Sequence, residues 1–482
     1  MKEQKTKLGY VSFLASVAAI GGFLFGYDTA VISGTISQVA AQFNLDAMQT
    51  GWYVGCALLG SIVGVLCAGA MSDYLGRKVT MIISALLFSI SALGCAIAGS
   101  FDALVIYRII GGVGIGVVSI VSPLYISEVS VAQFRGRLVS LYQVAITVGF
   151  LGAYLFNYCL LDFSQQALAG AGSGLFDQIF VSEVWRGMLG MESVPALLFF
   201  LVIFFIPESP RWLILKHKPE QAVHILSRIY ADASEAQEQL HQTQSAISQE
   251  QKSDWSLLLK PAIRKAVLVG MAIAILGQFM GVNAVLYYGP TIFEESGLSS
   301  GDSLFFQVLV GLVNMVTAIL ALLIIDKVGR KKLVYYGVSG MIACLLLIAA
   351  YFAFGPTIGV PALFLLVCIL GYVFFTAGSI CAVIWVLLSE MYPTKVRGLA
   401  MSLAGFSLWI GTYLVGQLTP WLLEHINPSN TFLLFAAMCL PYMYIIWRKV
   451  PDTTGKSLEE IEMLWEEQAE TAPSNLMKEV KN

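Results

Sequence analysis

Three ionisable side chains stand inside long apolar runs. Asp28 lies in F-G-Y-D-T-A-V-I-S-G, Arg108 in V-I-Y-R-I-I-G-G and Glu192 in G-M-E-S-V-P. A lone charge at mid-bilayer costs at least about 2.5–3.5 kcal/mol, so such groups are expected to be paired and functional. Two acids and one arginine balance only when one acid carries a proton. Desolvation favours the protonated carboxyl and an approaching guanidinium favours the ionised one. Asp28, Arg108 and Glu192 therefore fit proton uptake and release, the alternative being a purely structural Asp28–Arg108 pair. The four histidines, at 217, 224, 241 and 425, lie outside the apolar runs, so a histidine relay is not expected.

A second set of charges repeats. Asp73-x-x-Gly76-Arg77-Lys78 recurs as Asp326-x-x-Gly329-Arg330-Lys331. Glu128 precedes Arg135-Gly136 by the same seven residues that separate Glu390 from Arg397-Gly398. Pro207-Glu208-Ser209-Pro210-Arg211 has its counterpart in Pro451-Asp452-Thr453-Thr454-Gly455. Short basic loops account for the Arg and Lys, but not for the acids, the glycines or the spacing. Carboxylate–guanidinium pairs at helix ends that close in one state and open in another account for all of them, and a few kcal/mol suffices to bias such an equilibrium. The expected gating set is Asp73, Arg77, Glu128, Arg135, Glu208, Arg211, Asp326, Arg330, Glu390 and Arg397.

The elements that position these groups follow from composition. Of 482 residues 57% are apolar and 12% charged, about half the charge of a soluble domain; lipid is the expected solvent. A membrane helix needs about 20 apolar residues. Such runs fall near 9–34, 51–71, 79–99, 103–127, 138–160 and 187–207, then 264–290, 304–325, 332–354, 361–389, 399–421 and 430–448. The expected fold is all-α, with twelve transmembrane helices in two six-helix bundles. The expected segments are an N-terminal bundle over 1–212, a polar helical linker over 213–263, a C-terminal bundle over 264–450 and a tail over 451–482. The first run, too long for a signal peptide's apolar core, is read as a retained span. Basic residues crowd alternate loops, and the opposite loops hold only Arg186. The positive-inside rule then puts both termini and the linker in the cytoplasm. Eight cysteines without a CxxC pair or a histidine cluster argue against a disulfide framework or a metal site. The net charge of −3 points to no nucleic-acid partner.

Taken together, the tandem D-x-x-G-R-K loops, E-V-S-V-A-Q-F-R-G-R, P-E-S-P-R-W-L, E-M-Y-P-T-K-V-R-G and P-D-T-T-G-K resemble the sugar-porter family of the major facilitator superfamily, and within it the bacterial xylose–proton symporters. The resemblance covers roughly residues 10–465. It implies two six-helix bundles around a central cavity, linker residues folded as short cytoplasmic helices, a bacterial inner-membrane location and a monomer. It assigns sugar binding to Gln143, Gln278, Asn283, Tyr287, Tyr288, Asn314, Trp385 and Trp409. It also assigns proton coupling to the acid at 28 and the arginine at 108, where uncoupled relatives carry an amide for the acid. A monosaccharide and protons are the implied partners; no cofactor, metal or catalytic residue is implied.

Several positions depart from the family pattern. Gly277 replaces the first of a Gln-Gln pair, Leu408 replaces a glutamine before Trp409, and Phe150 replaces one in the fifth span. A tenth-span G-P-x-x-W reads Cys381-Ala382-Val383-Ile384-Trp385, and loss of both helix breakers predicts a stiffer gating helix. Fewer amides predict a pentose, or another substrate with fewer engaged hydroxyls. An uncoupled uniporter and a transporter-like receptor are the rival readings. An ATP-driven enzyme is not expected: Gly455-Lys456-Ser457 lacks the leading glycine of a phosphate loop, Val450 standing there. G-G-V-G-I-G in the fourth run reads as close helix packing.

Overall fold

The structure is a computed structural model and describes residues 7–167, 174–230, 232–249, 260–392 and 396–450. Among them, twelve helices are long and apolar enough to cross a membrane, beginning with Leu8–Gly34, Ala47–Leu75, Arg77–Ile97, Phe101–Val129, Arg135–Ala167 and Val184–Ile203. Spans seven to twelve are Ile263–Glu295, Ser300–Ile324, Arg330–Gly355, Ala362–Met391, Arg397–His425 and Asn427–Arg448. No strand occurs among the described residues. The chain divides into two compact units, Met1–Gln251 with Ser299–Gly311, and Lys252–Leu298 with Leu312–Asn482.

In the first unit, spans two and four pack at backbone distance. Gly60 and Gly64 abut the carbonyls of Ile109 and Val113, while Gly112 and Gly116 abut those of Ala57 and Ser61. Small residues allow this approach, and dispersion then does the work that hydrophobicity cannot do in lipid. Asp46 starts span two as a capping box, its Oδ1 accepting from Gln49 N at 2.7 Å while Gln49 Oε1 accepts from Asp46 N at 3.0 Å. Helices Pro210–Leu215, Pro219–Ile229 and Ala233–Gln249 follow span six within the same unit.

Arg186, the one Arg or Lys in the loops opposite the basic ones, is buried. It donates to the carbonyls of Ala98 (2.6 Å) and Ala96 (3.4 Å) at the end of span three, and to Glu183 Oε2 at 2.5 Å. A cation at a helix C-terminus satisfies carbonyls that the helix leaves open. Gln42 Nε2 donates to Glu183 Oε2 at 2.9 Å, and Trp185 Nε1 donates to Gln42 Oε1 at 2.6 Å. This network braces the chain after span one against the start of span six. Arg186 thus serves as a structural anchor, which explains its place outside the general charge bias.

In the second unit, two spans are interrupted. Span seven consists of Pro261–Phe279 and Val282–Glu295, separated at Gly281 with φ +91°. Only glycine adopts that conformation without strain, and a Cβ there would lie 2.5 Å from the Phe435 ring. The break exposes the Met280 carbonyl, which accepts from the buried Tyr372 hydroxyl at 2.7 Å. Span ten breaks too, between Ala362–Gly378 and Ile380–Met391, at Ser379 with φ −125° and ψ −81°. The span is thus interrupted without the Gly-Pro pair, two residues before Cys381. The Ser379 hydroxyl donates to Phe375 O at 2.5 Å, and its N–H to Thr376 O at 3.3 Å. A side chain able to bond the backbone locally interrupts a helix without proline.

Two outcomes are expected. Gly281→Ala lowers unfolding stability by about 1–3 kcal/mol in a detergent thermal scan, whereas Gly277→Ala, whose nearest new contact is 3.7 Å, shifts it little. Burial raises the Glu183 carboxyl pKa, but hydrogen bonds from Gln42 and Arg186 outweigh that and leave it below the ordinary 4.5. A depressed carboxyl contributes stability that is whole above pH 4.5 and lost as pH falls through the folded value. Glu183→Gln is thus expected to lower the melting temperature at pH 7 and to match the wild type increasingly as pH drops below 4.5.

Candidate functional site

Asp28 sits in the helix Leu8–Val31 and Arg108 in Phe101–Val129, while Glu192 lies between Val184–Gly190 and Ser193–Ile203. All three are at most 2% exposed. Arg108 Nη1 donates to Asp28 Oδ1, and Nη2 to the Asp28 carbonyl at 3.5 Å. Glu192 lies within electrostatic reach of both. The sixth apolar run, read as 187–207, puts Glu192 near its start; the span begins earlier, at Val184, and Glu192 stands mid-span at a break between two helices. Asp28 Oδ2 and Glu192 Oε1 are buried and find no donor on any other described residue, while the two carboxyls lie within hydrogen-bonding reach of each other. Gly111 and Ser91 border Asp28 Oδ2: a Cβ on Gly111 would lie 3.7 Å from that oxygen and 2.5 Å from Ser91 Oγ. A bond between two carboxyls needs a proton on one of them, so this pair of neighbouring acids marks where a proton can be held.

The repeated motifs organise one end of each unit. Arg77 reaches Glu128 with Nε and Nη2, both at 3.0 Å, and Asp73 Oδ1 with Nη1 at 3.1 Å. Glu128 thus meets the arginine of the preceding motif, and Arg135, seven residues on, is exposed. Glu208 caps span three: its carboxylate accepts from the backbone N–H of Arg77 (2.9 Å), Lys78 (3.2 Å) and Ser209 (2.8 Å). Burial pushes its carboxyl above the usual carboxylate range, and those amides work against the shift. Gly76 has φ +97°, and a Cβ there would collide with Glu208 Oε2. Arg211 is half-buried beside it in Pro210–Leu215.

In the second unit Gly329 again has positive φ, and Arg330 pairs with Glu390 at 3.1 Å. Lys331 Nζ donates to Val450 O at 2.9 Å as Lys78 Nζ does to Phe204 O at 3.0 Å, closing the ends of spans twelve and six alike. Arg397 Nη2 donates weakly to Tyr392 O at 3.5 Å. The Asp326 side chain and 451–455 lie outside the described residues.

A cluster of amides forms at the span-seven break. Gln278 ends the first half-helix and Asn283 begins the second. Asn283 Nδ2 donates to Gln278 Oε1 at 2.7 Å, and Thr412 Oγ1 of span eleven lies 3.1 Å from the same oxygen. Thr412 was not among the residues marked from sequence; its only signal is its place three residues after Trp409. Tyr288 is buried, donating its hydroxyl to Gly416 O at 2.5 Å, and Tyr287 is buried beside it. Trp409 is 9% exposed and Trp385 42% exposed, the latter ring 3.6 Å from where a Cβ on Gly405 would stand. Asn314 is half-buried in span eight. Gln143 belongs to the first unit and is exposed on Arg135–Ala167. At the departures, Phe150 is buried edge-on to Tyr154 (6.2 Å), and Leu408 offers its carbonyl to Thr412 at 3.0 Å.

A twelve-span bundle with a buried acid–arginine cluster and tandem basic-loop motifs defines a secondary transporter of the major facilitator fold. The chain matches the family described as Sugar (and other) transporter over residues 14–465, and it belongs to that family; it is a transporter and not an enzyme. It is 37% identical to the arabinose-proton symporter of Bacillus subtilis over 458 residues, covering 95% of this chain and 96% of that one. Identity to the D-xylose-proton symporter of Escherichia coli is 35% over 490 residues, covering 95% and 96%. The inward-open structure of the E. coli xylose transporter matches with a TM-score of 0.81 and 33% identity, over 95% of this chain and all of that one.

The Arg77–Glu128 pair is buried on both sides. Arg77→Ala is expected to cost about 3–5 kcal/mol in denaturant unfolding because it strands the Glu128 charge. Arg77→Lys, keeping charge without the two-pronged contact, is expected to fall between.

Proposed function

We infer that this chain is a proton-coupled importer of a monosaccharide, a pentose in preference to a hexose, working by alternating access. The observation that carries the reading is the buried Asp28–Arg108–Glu192 cluster, in which the two carboxyls face each other within hydrogen-bonding reach. Neutral Asp28 no longer holds Arg108, whose guanidinium then has Glu192 as its partner; ionised Asp28 takes it back. The exchange ties proton occupancy to the packing of spans one, four and six. At 100 mV one proton supplies about 2.3 kcal/mol, enough for roughly 50-fold accumulation.

The relatives' names support a sugar: symporters for arabinose and xylose, and a glucose transport protein from Synechocystis 35% identical over 94% of this chain. Gln143, Gln278, Asn283, Tyr287, Tyr288, Asn314, Trp385 and Trp409 are the proposed binding residues, with Tyr288 held by its backbone bond as a support for its neighbours. Gly277, Leu408 and Phe150 remove three amides from the family pattern, and a pentose offers fewer hydroxyls to engage. The basic-loop pairs are proposed as gates facing the cytoplasm, with both termini there, in a monomer divided at 1–212, 213–263, 264–450 and 451–482.

In proteoliposomes with an imposed proton gradient, Asp28→Asn is expected to abolish uphill uptake while leaving sugar exchange across the membrane measurable. Uphill accumulation surviving in that variant would exclude coupling through Asp28.

A further inference from the structure

The amide left to span seven is held by a hydroxyl outside the motifs. Thr412 is 5% exposed, with Oγ1 3.1 Å from Gln278 Oε1 and 3.0 Å from Leu408 O. Gly411 makes that reach possible: a Cβ there would stand 3.0 Å from Gln278 Cβ and 3.1 Å from Ile275 O. Span eleven therefore runs against span seven at the residue before Thr412. On the other side, Asn283 Nδ2 stands 2.7 Å from the same Gln278 oxygen.

A hydroxyl has one proton to give. When Thr412 gives it to Gln278 Oε1, that carbonyl is occupied by two donors. The Gln278 NH2 and the Asn283 Oδ1 then remain for a ligand. When Thr412 gives its proton to Leu408 O, its oxygen accepts from Gln278 instead. The glutamine amide is then turned over and Asn283 turns with it, since amide orientation follows the partners. The Gln278 carbonyl and the Asn283 NH2 now remain. Either way, one donor and one acceptor are presented together, never two of a kind.

A hydroxyl satisfies both at once, because it accepts and donates through one oxygen. A fluorine only accepts, and a hydrogen does neither. We propose that Thr412 is a positioning residue of the sugar site: the Gln278–Asn283 bond makes the pair offer one donor and one acceptor, and Thr412 anchors that pair to span eleven so that both meet a single hydroxyl. This rests on the monosaccharide reading above and adds the residue that sets its discrimination. Without the Thr412 hydroxyl the pair keeps its mutual bond but loses its anchor on span eleven; its donor and acceptor no longer converge on one oxygen, and the advantage of a hydroxyl over a fluorine or a hydrogen shrinks.

The test uses the full chain in proteoliposomes under a proton gradient, with radiolabelled D-xylose and D-glucose. Each is competed by its own single-position deoxy and deoxyfluoro analogues. In the wild type, one ring position is expected at which the parent outcompetes both analogues by about tenfold, the scale of one to two hydrogen bonds. In Thr412→Val that gap narrows to about twofold, the change falling in KM more than kcat, and Thr412→Ser restores it. Thr412→Ala removes the hydroxyl without an added methyl and serves where valine fails to give monodisperse protein. An unchanged gap in a transporting Thr412→Val or Thr412→Ala, or a serine variant that behaves like them, overturns the positioning role alone. Failure of the wild type to move either sugar overturns the sugar reading, and this inference with it.

Discussion

The ion pair between Arg108 and Asp28 is the constraint around which the first unit is arranged. Both side chains are out of contact with solvent, where desolvation exceeds the attraction unless the remaining lone pairs and protons are also satisfied. Here they are not satisfied without an added proton: Asp28 Oδ2 and Glu192 Oε1 find no donor on any other described residue, and the two carboxyls reach only each other. A cluster built for stability alone would complete those bonds. Its incompleteness is the property a proton carrier needs, since the site must be nearly as stable with one more proton as without it.

The rest of the unit limits how that difference is expressed. Span one, which carries Asp28, is tied at its start by the Lys7 N–H donating to Ile229 O at 3.0 Å in the polar linker helix. Beyond its far end Gln42 is tied to Glu183 ahead of span six. Glycine contacts lock spans two and four together. The Lys7 and Gln42 ties hold both ends of the span that carries Asp28.

The second unit solves a different problem. A polar ligand at membrane depth needs hydrogen-bonding groups there, and an unbroken helix exposes none of its backbone. Spans seven and ten are broken at Gly281 and Ser379, and the carbonyl freed at Met280 is taken up by the buried Tyr372 hydroxyl. Irregular backbone is tolerated at that depth only where protein or a cavity satisfies it. Gln278 and Asn283 flank one such break, which gives two amides a close approach that regular helical spacing would not.

Much of this was legible in the residues. Twelve apolar runs, the alternation of basic loops and the doubled D-x-x-G-R-K motif define the fold class, because bilayer thickness and the cost of buried charge leave few alternatives. The motif glycines were legible as repeats, and their positive φ at 76 and 329 gives the physical reason for them. Asp28, Arg108 and Glu192 were legible because apolar surroundings make any charge conspicuous. Partners were another matter. Glu128 meets Arg77 across 51 positions, and Glu208 caps a helix 131 residues earlier; the motif spacing assigned neither partner. The tenth-span break falls at Ser379, which no motif marked. Thr412 carried no mark at all, since a threonine in an apolar helix is ordinary until packing brings Gln278 within reach. Sequence by itself determined which groups must be buried and how many times the chain crosses. Only the tertiary structure decided which group meets which, because hydrogen bonds depend on ångström distances between helices that local pattern does not encode.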